Sequence, residues 1–257
     1  MLAPRIIPCL LVHKKGLIKT VKFNKDKGKY FGDPSNAVKI FNEKEADELM
    51  VLDIDATVEG REPDYKMIEY LAVECRMPLC YGGGIKTVAQ AQKVFNLGVE
   101  KIALSSAVVE NPSLVSEIAK EVGTQSVVVV LDVKKKMFGG YDVFTHNGTK
   151  KSKVNLEKFV VELQGLGVGE IVINSIDNDG VMQGYDIGLV SKLKPLIETP
   201  MTILGGVGTL NNIKDLINQF GIIGCAVGSL FVFKGKYKAV LINYPRENEK
   251  KELYEKQ

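Results

Sequence analysis

The sequence predicts a single-domain (β/α)8 barrel, an α/β fold built from two symmetry-related (β/α)4 halves. Three observations predict it. Short apolar runs alternate with amphipathic stretches along the whole chain, the apolar runs number eight, and one half of the chain repeats the other at an offset of about 122 residues. Parallel strands covered on both faces read as continuous apolar runs, and eight of them separated by helices is the count a closed barrel needs. A doubly wound open sheet would show the same alternation but gives no reason for a two-fold repeat.

Taken in order, the first strand is expected at 5–12, an almost wholly apolar run whose C-terminal end falls near Leu11. A lysine-rich loop at 13–31 follows, then a helix at 34–46 and a strand at 49–54. The first half continues with a helix at 64–75, a strand at 78–81, a helix at 87–97, a strand at 101–104 and a helix at 111–122. The second half opens with the strand 126–132, a valine run that ends on Asp132. It continues with a helix at 155–165, a strand at 170–175, a helix at 186–197, a strand at 201–204, a helix at 210–219 and a last strand at 223–227. The barrel is expected over 1–245, with a charged, peripheral tail at 246–257.

The repeat is visible in chemistry-bearing residues. Gly83-Gly84-x-x-Thr87 aligns with Gly205-Gly206-x-x-Thr209, and Glu48 followed by Ile54-Asp55 aligns with Glu170 followed by Ile176-Asp177. Ser106 aligns with Ser229 at nearly the same offset. One position breaks the symmetry. The fifth strand ends on an acid, Asp132, where the first strand has Leu11. If the two strands are equivalent, one half has kept an acid that the other lacks.

Composition excludes several classes. With 257 residues, 45% hydrophobic and 25% charged, the chain can bury a large core as a soluble globule. A net charge of +3 is too slight to argue for nucleic acid. No apolar run is long enough for a membrane span and no signal-peptide layout is present, so no membrane association is expected and the cytoplasm is the expected compartment. Cys9, Cys75, Cys80 and Cys225 form no C-x-x-C pair and read as buried thiols, so no metal and no cofactor are expected. Positive charge is local: seven lysines lie between residues 14 and 29, read either as a solvated loop or as a loop that folds over an anionic ligand.

Two Gly-rich turns follow the third and seventh strands, Gly82-Gly83-Gly84 and Gly205-Gly206. Each is followed about 20 residues later by a small-residue strand end, Ser105-Ser106 and Gly228-Ser229. Glycine lets backbone N–H groups approach a phosphate, and the next helix N-terminus adds free donors and a favourable dipole. Two such cups on opposite sides of one mouth imply a small-molecule ligand with two phosphates.

These motifs, together with Arg5 through Leu10, Gly32-Asp33-Pro34, Ala46 through Leu49, Leu52-Asp53-Ile54, Gln125 through Asp132, Ser175 through Gly180 and Gly184-Tyr185-Asp186, closely resemble the cyclase subunit of imidazole glycerol phosphate synthase, the HisF family. The resemblance covers nearly the whole chain. It implies a barrel that receives ammonia from a glutaminase subunit (HisH-like) and uses it at the far mouth on a bis-phosphorylated ribulosyl nucleotide, a lyase-type cyclisation run by two aspartates. The second aspartate matches Asp132 and the first falls on Leu11. Asp179 matches an auxiliary acid, Asp53 a further polar residue of the mouth and Lys19 a loop lysine near the substrate. Arg5, Glu48, Lys101 and Glu170 match a charged ring that gates ammonia entry, and Glu100 an acidic contact to the glutaminase.

Bland alternatives stand beside these. The four charges could be an inert ion-pair network. Asp53, Asp55, Asp177 and Asp179 could cap helices. His13 lies two residues past Leu11 on the same strand face and is not expected to replace the acid; neither His13 nor His146 is assigned a role. Leucine can neither give nor take a proton, and a positioned acid is worth about 10²–10⁴-fold in rate. The chain further resembles a divergent branch of the family, through its Ile-Pro-Cys-Leu-Leu opening and the stretches 41–45 and 52–56. That branch is associated with amidation of surface-polysaccharide (LPS/O-antigen) sugars, where the barrel is thought to pass ammonia to a sugar amidotransferase. The leading expectation is therefore an ammonia-conducting partner subunit. A working cyclase of histidine biosynthesis and a non-conducting structural activator of a glutaminase are the alternatives.

Overall fold

Residues 3–255 are described by the structure, a computed structural model. Eight parallel strands close on themselves. They are β1 (Arg5–His13), β4 (Leu49–Asp53), β5 (Leu79–Gly82), β6 (Lys101–Leu104), β7 (Val127–Lys135), β10 (Glu170–Ser175), β11 (Met201–Leu204) and β12 (Gly224–Val227), the last pairing back onto β1. The intervening labels belong to the mouth: β2 (Gly16–Val21), β3 (Asn24–Gly32), β8 (Tyr141–Thr145) and β9 (Lys150–Lys151). The helices α1 (Pro34–Glu43), α2 (Tyr65–Glu74), α3 (Val88–Asn96), α4 (Ser106–Glu110), α5 (Leu114–Val122), α6 (Leu156–Gly165), α7 (Ile187–Leu193) and α8 (Leu210–Phe220) lie outside the sheet.

Residue parity sorts the barrel into two cores. Side chains alternate across a strand, so every second residue points inward. Ile7, Cys9, Met50, Cys80, Ala103, Val128, Val130, Val172, Leu204 and Ala226 fill the bore, with Leu11 and Leu52 packed against them at the top. The opposite parity, Ile6, Leu10, Val51, Val129 and Ile173 among others, forms the larger core beneath the helices. Helix entry is local chemistry: Asp33, Asp64, Thr87, Asn155, Asp186 and Thr209 each accept a backbone N–H in the first turn of the helix they precede. The acids considered as caps, Asp53, Asp55, Asp177 and Asp179, are not the caps of these helices.

Three expectations are corrected. The first strand does not stop near residue 11; it runs to His13 and turns directly into β2, which pairs with it antiparallel (Leu11 opposite Ile18). The lysine-rich segment is therefore not a loop but a β2–β3 hairpin rooted in the barrel wall, its strand Leu17-Ile18 buried. The tail is not peripheral. It forms α9 (Glu247–Tyr254), buries Leu253, and reaches Asp47 through Lys250 Nζ (2.8 Å) and the Tyr254 hydroxyl (3.1 Å). Residues 256–257 of that tail, like residues 1–2, lie outside the described part.

Candidate functional site

At the C-terminal ends of the strands the inward positions change from apolar to functional. Asp132 sits one register step above Val130 on β7, directly beside Asn174 of β10. The Asn174 amide donates to its Oδ1 at 2.8 Å. Burial pushes the Asp132 carboxyl up to about 7; the Asn174 hydrogen bond pulls the other way and the charge of Asp179 adds to the rise. A carboxyl held there exchanges protons near neutrality, as a general acid–base requires.

The equivalent pair in the first half is Leu11 beside Leu52. Both line the same mouth as Asp132. The asymmetry is thus a pair effect: an acid with an amide partner on one side, two leucines on the other. His13 does not compensate, because its Nδ1 turns to Asp55 at 2.8 Å.

Lys19 extends from β2 into the mouth, 6% exposed, and donates to the Cys9 carbonyl oxygen. Burial pushes its amine down, opposed by Cys9 and Asp179. Asp179, raised by burial, accepts the Thr20 hydroxyl at 2.9 Å, and its carbonyl oxygen accepts the Lys22 N–H at 2.9 Å. On the other side Asp55 accepts Lys25 Nζ at 2.6 Å and the Lys14 N–H at 2.8 Å. Burial raises the Asp55 carboxyl, but the hydrogen bonds from Lys25, Lys14 and His13 hold it at about 2. The hairpin is latched to acids on both sides of the opening. Asp53, also buried, receives a two-pronged Arg61 at 2.9 and 3.1 Å and the N–H groups of Asp55 and Ala56.

A second flap meets the hairpin. The turn between β8 and β9 brings the His146 N–H to Ser106 Oγ at 3.2 Å and Asn147 Nδ2 to the Ile54 carbonyl at 2.5 Å. His146, given no role from sequence, lines the mouth.

Both glycine cups open onto this mouth, with Gly83, Gly84, Ser105, Ser106, Gly205, Gly206, Gly228 and Ser229 in its wall. Gly83 (φ +123°) and Gly206 (φ +107°) are fixed by close approach: a Cβ there would strike the carbonyl oxygens of Asp53 and Gly184.

The opposite end carries the predicted charged ring. Arg5 bonds Glu48 at 2.5 Å and Glu170 at 2.8 Å; Lys101 bonds Glu48 at 2.9 Å and Glu170 at 3.0 Å. Thr202 donates to Glu170 at 2.5 Å. The charges alternate around the bore, so each cation touches two anions. Burial opposes ionisation of Arg5 and Lys101, but Glu170 and Glu48 raise both, and Arg5 and Lys101 in turn lower Glu170. Glu100 lies exposed beside this ring and accepts the Leu79 N–H at 2.8 Å.

Between ring and mouth lies the apolar packed interior of the barrel, with a two-cup mouth at one end and a salt-bridged floor at the other. The sequence pattern of the family described as "Histidine biosynthesis protein" matches residues 5–238. The chain belongs to that family, and within it is HisF-like. It is 61% identical over 99% of its length, and 98% of the relative's, to a Vibrio vulnificus protein provisionally named imidazole glycerol phosphate synthase subunit hisF3. A Leptospira borgpetersenii protein provisionally named HisF is 56% identical over 99% of the chain and 100% of the relative. A Pseudomonas aeruginosa protein provisionally named hisF2 is 48% identical over 96% and 98%.

Every site residue expected from sequence falls at the mouth or the floor. Sequence reasoning missed Asn174, Arg61, Thr20, Lys25 and the 146–148 flap. Asn174 had a signal: it lies 122 residues after Leu52 at an inward strand position. The others act across loops, where no periodicity announces a partner.

Proposed function

We propose that this HisF-like barrel pairs with a glutaminase, conducts ammonia through its bore and delivers it to a separate acceptor in the amidation of a surface-polysaccharide sugar. The observation that carries the reading is Leu11-Leu52 standing opposite Asp132-Asn174 in an otherwise equipped mouth. A cyclisation that needs a proton relay on both sides of its ligand lacks one side here.

The bore suits neutral ammonia. An apolar lumen resists an ammonium ion, which would lose its hydration without finding a partner, but admits a small neutral molecule at modest cost. The floor ring supplies the selective step, since Lys101 must leave Glu48 or Glu170 for the bore to open. On this reading Glu100, exposed beside the ring, is a contact for the glutaminase. The likeness of residues 41–45 and 52–56 to the polysaccharide-associated branch supports the choice of acceptor.

A working cyclase is the second reading, favoured by the intact Asp132, Asp179, Lys19 and both cups. Turnover of the ribulosyl nucleotide with saturating ammonium salt, without glutaminase, separates the two. The expected result is no turnover by the wild type and measurable turnover by Leu11→Asp. Robust wild-type turnover would overturn the delivery reading.

A further inference from the structure

Charge is segregated along this chain. The three mouth-side segments 14–32, 134–153 and 233–240 hold sixteen lysines (seven, six and three) against two acids, Asp26 and Asp142. The whole chain is only +3, so the remainder stands at −11. All three segments follow C-terminal strand ends, those of β1, β7 and β12, and so rise on the same face as the mouth. Lys29 Nζ, bonded to the Lys238 carbonyl at 2.7 Å, ties the first segment to the third.

Steering of an anionic ligand would explain charge alone. It does not explain what the hairpins carry at their tips. Met137 is 92% and Phe138 97% exposed directly after Lys134-Lys135-Lys136, and Tyr237 is 88% exposed between Lys236 and Lys238. Asp142 pairs with Lys136 and Lys151, leaving the ammonium groups of Lys134 and Lys135 with no acidic partner among the described residues. Aromatic and methionine side chains raised within a cationic rim are the composition of a protein interface, where they serve as anchors and the charges set encounter and register.

We propose that the mouth face is a docking surface for an acidic protein, the enzyme that accepts the ammonia, with Met137-Phe138 and Tyr237 as anchors and the lysines as the complementary field. The proposal rests on the delivery reading for the partner's task. A protein is favoured over a bilayer because the segments that carry the tips rise from the strand ends on the mouth face: what leaves the barrel must enter another site without reaching water, and a lipid surface offers none. The floor, with its paired charges, remains for the glutaminase.

In cells that make this chain, p-benzoylphenylalanine placed at 138, at 237 and, as a floor control, at 100 captures whatever each position touches. The same protein is expected at both tips, different from the one captured at the floor. Purified, that protein should bind the full chain with a Kd weakened about tenfold or more by Lys134→Glu/Lys135→Glu and by raising salt from about 50 to about 200 mM. Glutaminase binding should stay unchanged, and thermal unfolding confirms that the variant folds. Absence of a shared protein at both tips overturns the proposal, as does affinity indifferent to the charge reversal. Binding through the tips to phosphatidylcholine–phosphatidylglycerol vesicles in place of a protein also overturns it. Label from [amide-15N]glutamine separates the two readings. Charge-dependent docking without label transfer retains the surface and rejects delivery. Transfer through a charge-indifferent contact does the reverse.

Discussion

One buried carboxyl and the leucine pair opposite it make the two walls of the mouth chemically different. Asp132 is held near pH 7 by burial, against about 3.8 for an ordinary aspartate. Because the folded value is the higher one, the folded state binds the extra proton between those values, and stability falls as pH rises from about 4 to about 7. Asp132→Asn removes that liability while keeping a partner for Asn174. It should therefore raise stability by about 2–4 kcal/mol at pH 8 and little at pH 4, read from urea unfolding at each pH. An acid restored at position 11 would meet Leu52 in place of an amide. Leu11→Asp alone should titrate high, and adding Leu52→Asn should lower its midpoint, an order that carboxyl NMR titration checks. A single-unit downward shift corresponds to about 1.4 kcal/mol of added carboxylate stabilisation.

The β2–β3 hairpin is the element whose behaviour the sequence hid most. Its lysines allowed either a solvated loop or one folded over an anionic ligand, yet Leu17, Ile18 and Lys19 are buried and the tip is fastened to Asp179 and Asp55. Asp55 sits at about 2 when folded, below its ordinary 3.8, so its clamp is complete above about pH 4 and lost as pH falls toward 2. Asp55→Asn should release the near side at neutral pH, seen as faster amide exchange over residues 14–25 with β4 and β7 unchanged. The eight strands and most helices were legible because burial imposes a period on every residue of such elements. The floor ring was legible through the family resemblance, with four charges beside apolar runs and the recurrence of Glu48 as Glu170 in support. The hairpin latches, the Arg61 grip on Asp53 and the 146–148 flap were not, since each depends on which loops the closed barrel brings together. The C-terminal helix misled for the opposite reason: its charged sequence hides one buried leucine and two contacts to Asp47.

For the molecule as a whole, the two ends of the barrel are built differently, salt-bridged at the floor and glycine-rich at the mouth. At the floor, Lys101→Met leaves Glu48 and Glu170 sharing Arg5 alone, and removing one member of a buried charge network costs about 3–5 kcal/mol. Lowered stability together with ammonia lost to solvent in the glutaminase complex is the expected outcome; unchanged coupling would count against a gate. Near the same end, where α9 reaches Asp47 beside the ring, Leu253→Ala should cost about 2–3 kcal/mol by detaching α9 from the barrel, measured by thermal unfolding. The mouth itself is symmetric in its glycine turns and asymmetric in its strand-end side chains. Its two cups are related by the internal repeat, while only one wall has an acid at the inward strand-end position, Asp132 opposite Leu11. A ligand with two similar phosphates can then seat in either of two reversed orientations, and only one presents its reactive centre to Asp132. If the cups take phosphates as proposed, the leucine pair makes the barrel directional: the reversed pose becomes a competitive occupant of its own site, unless the ligand is lopsided enough to choose.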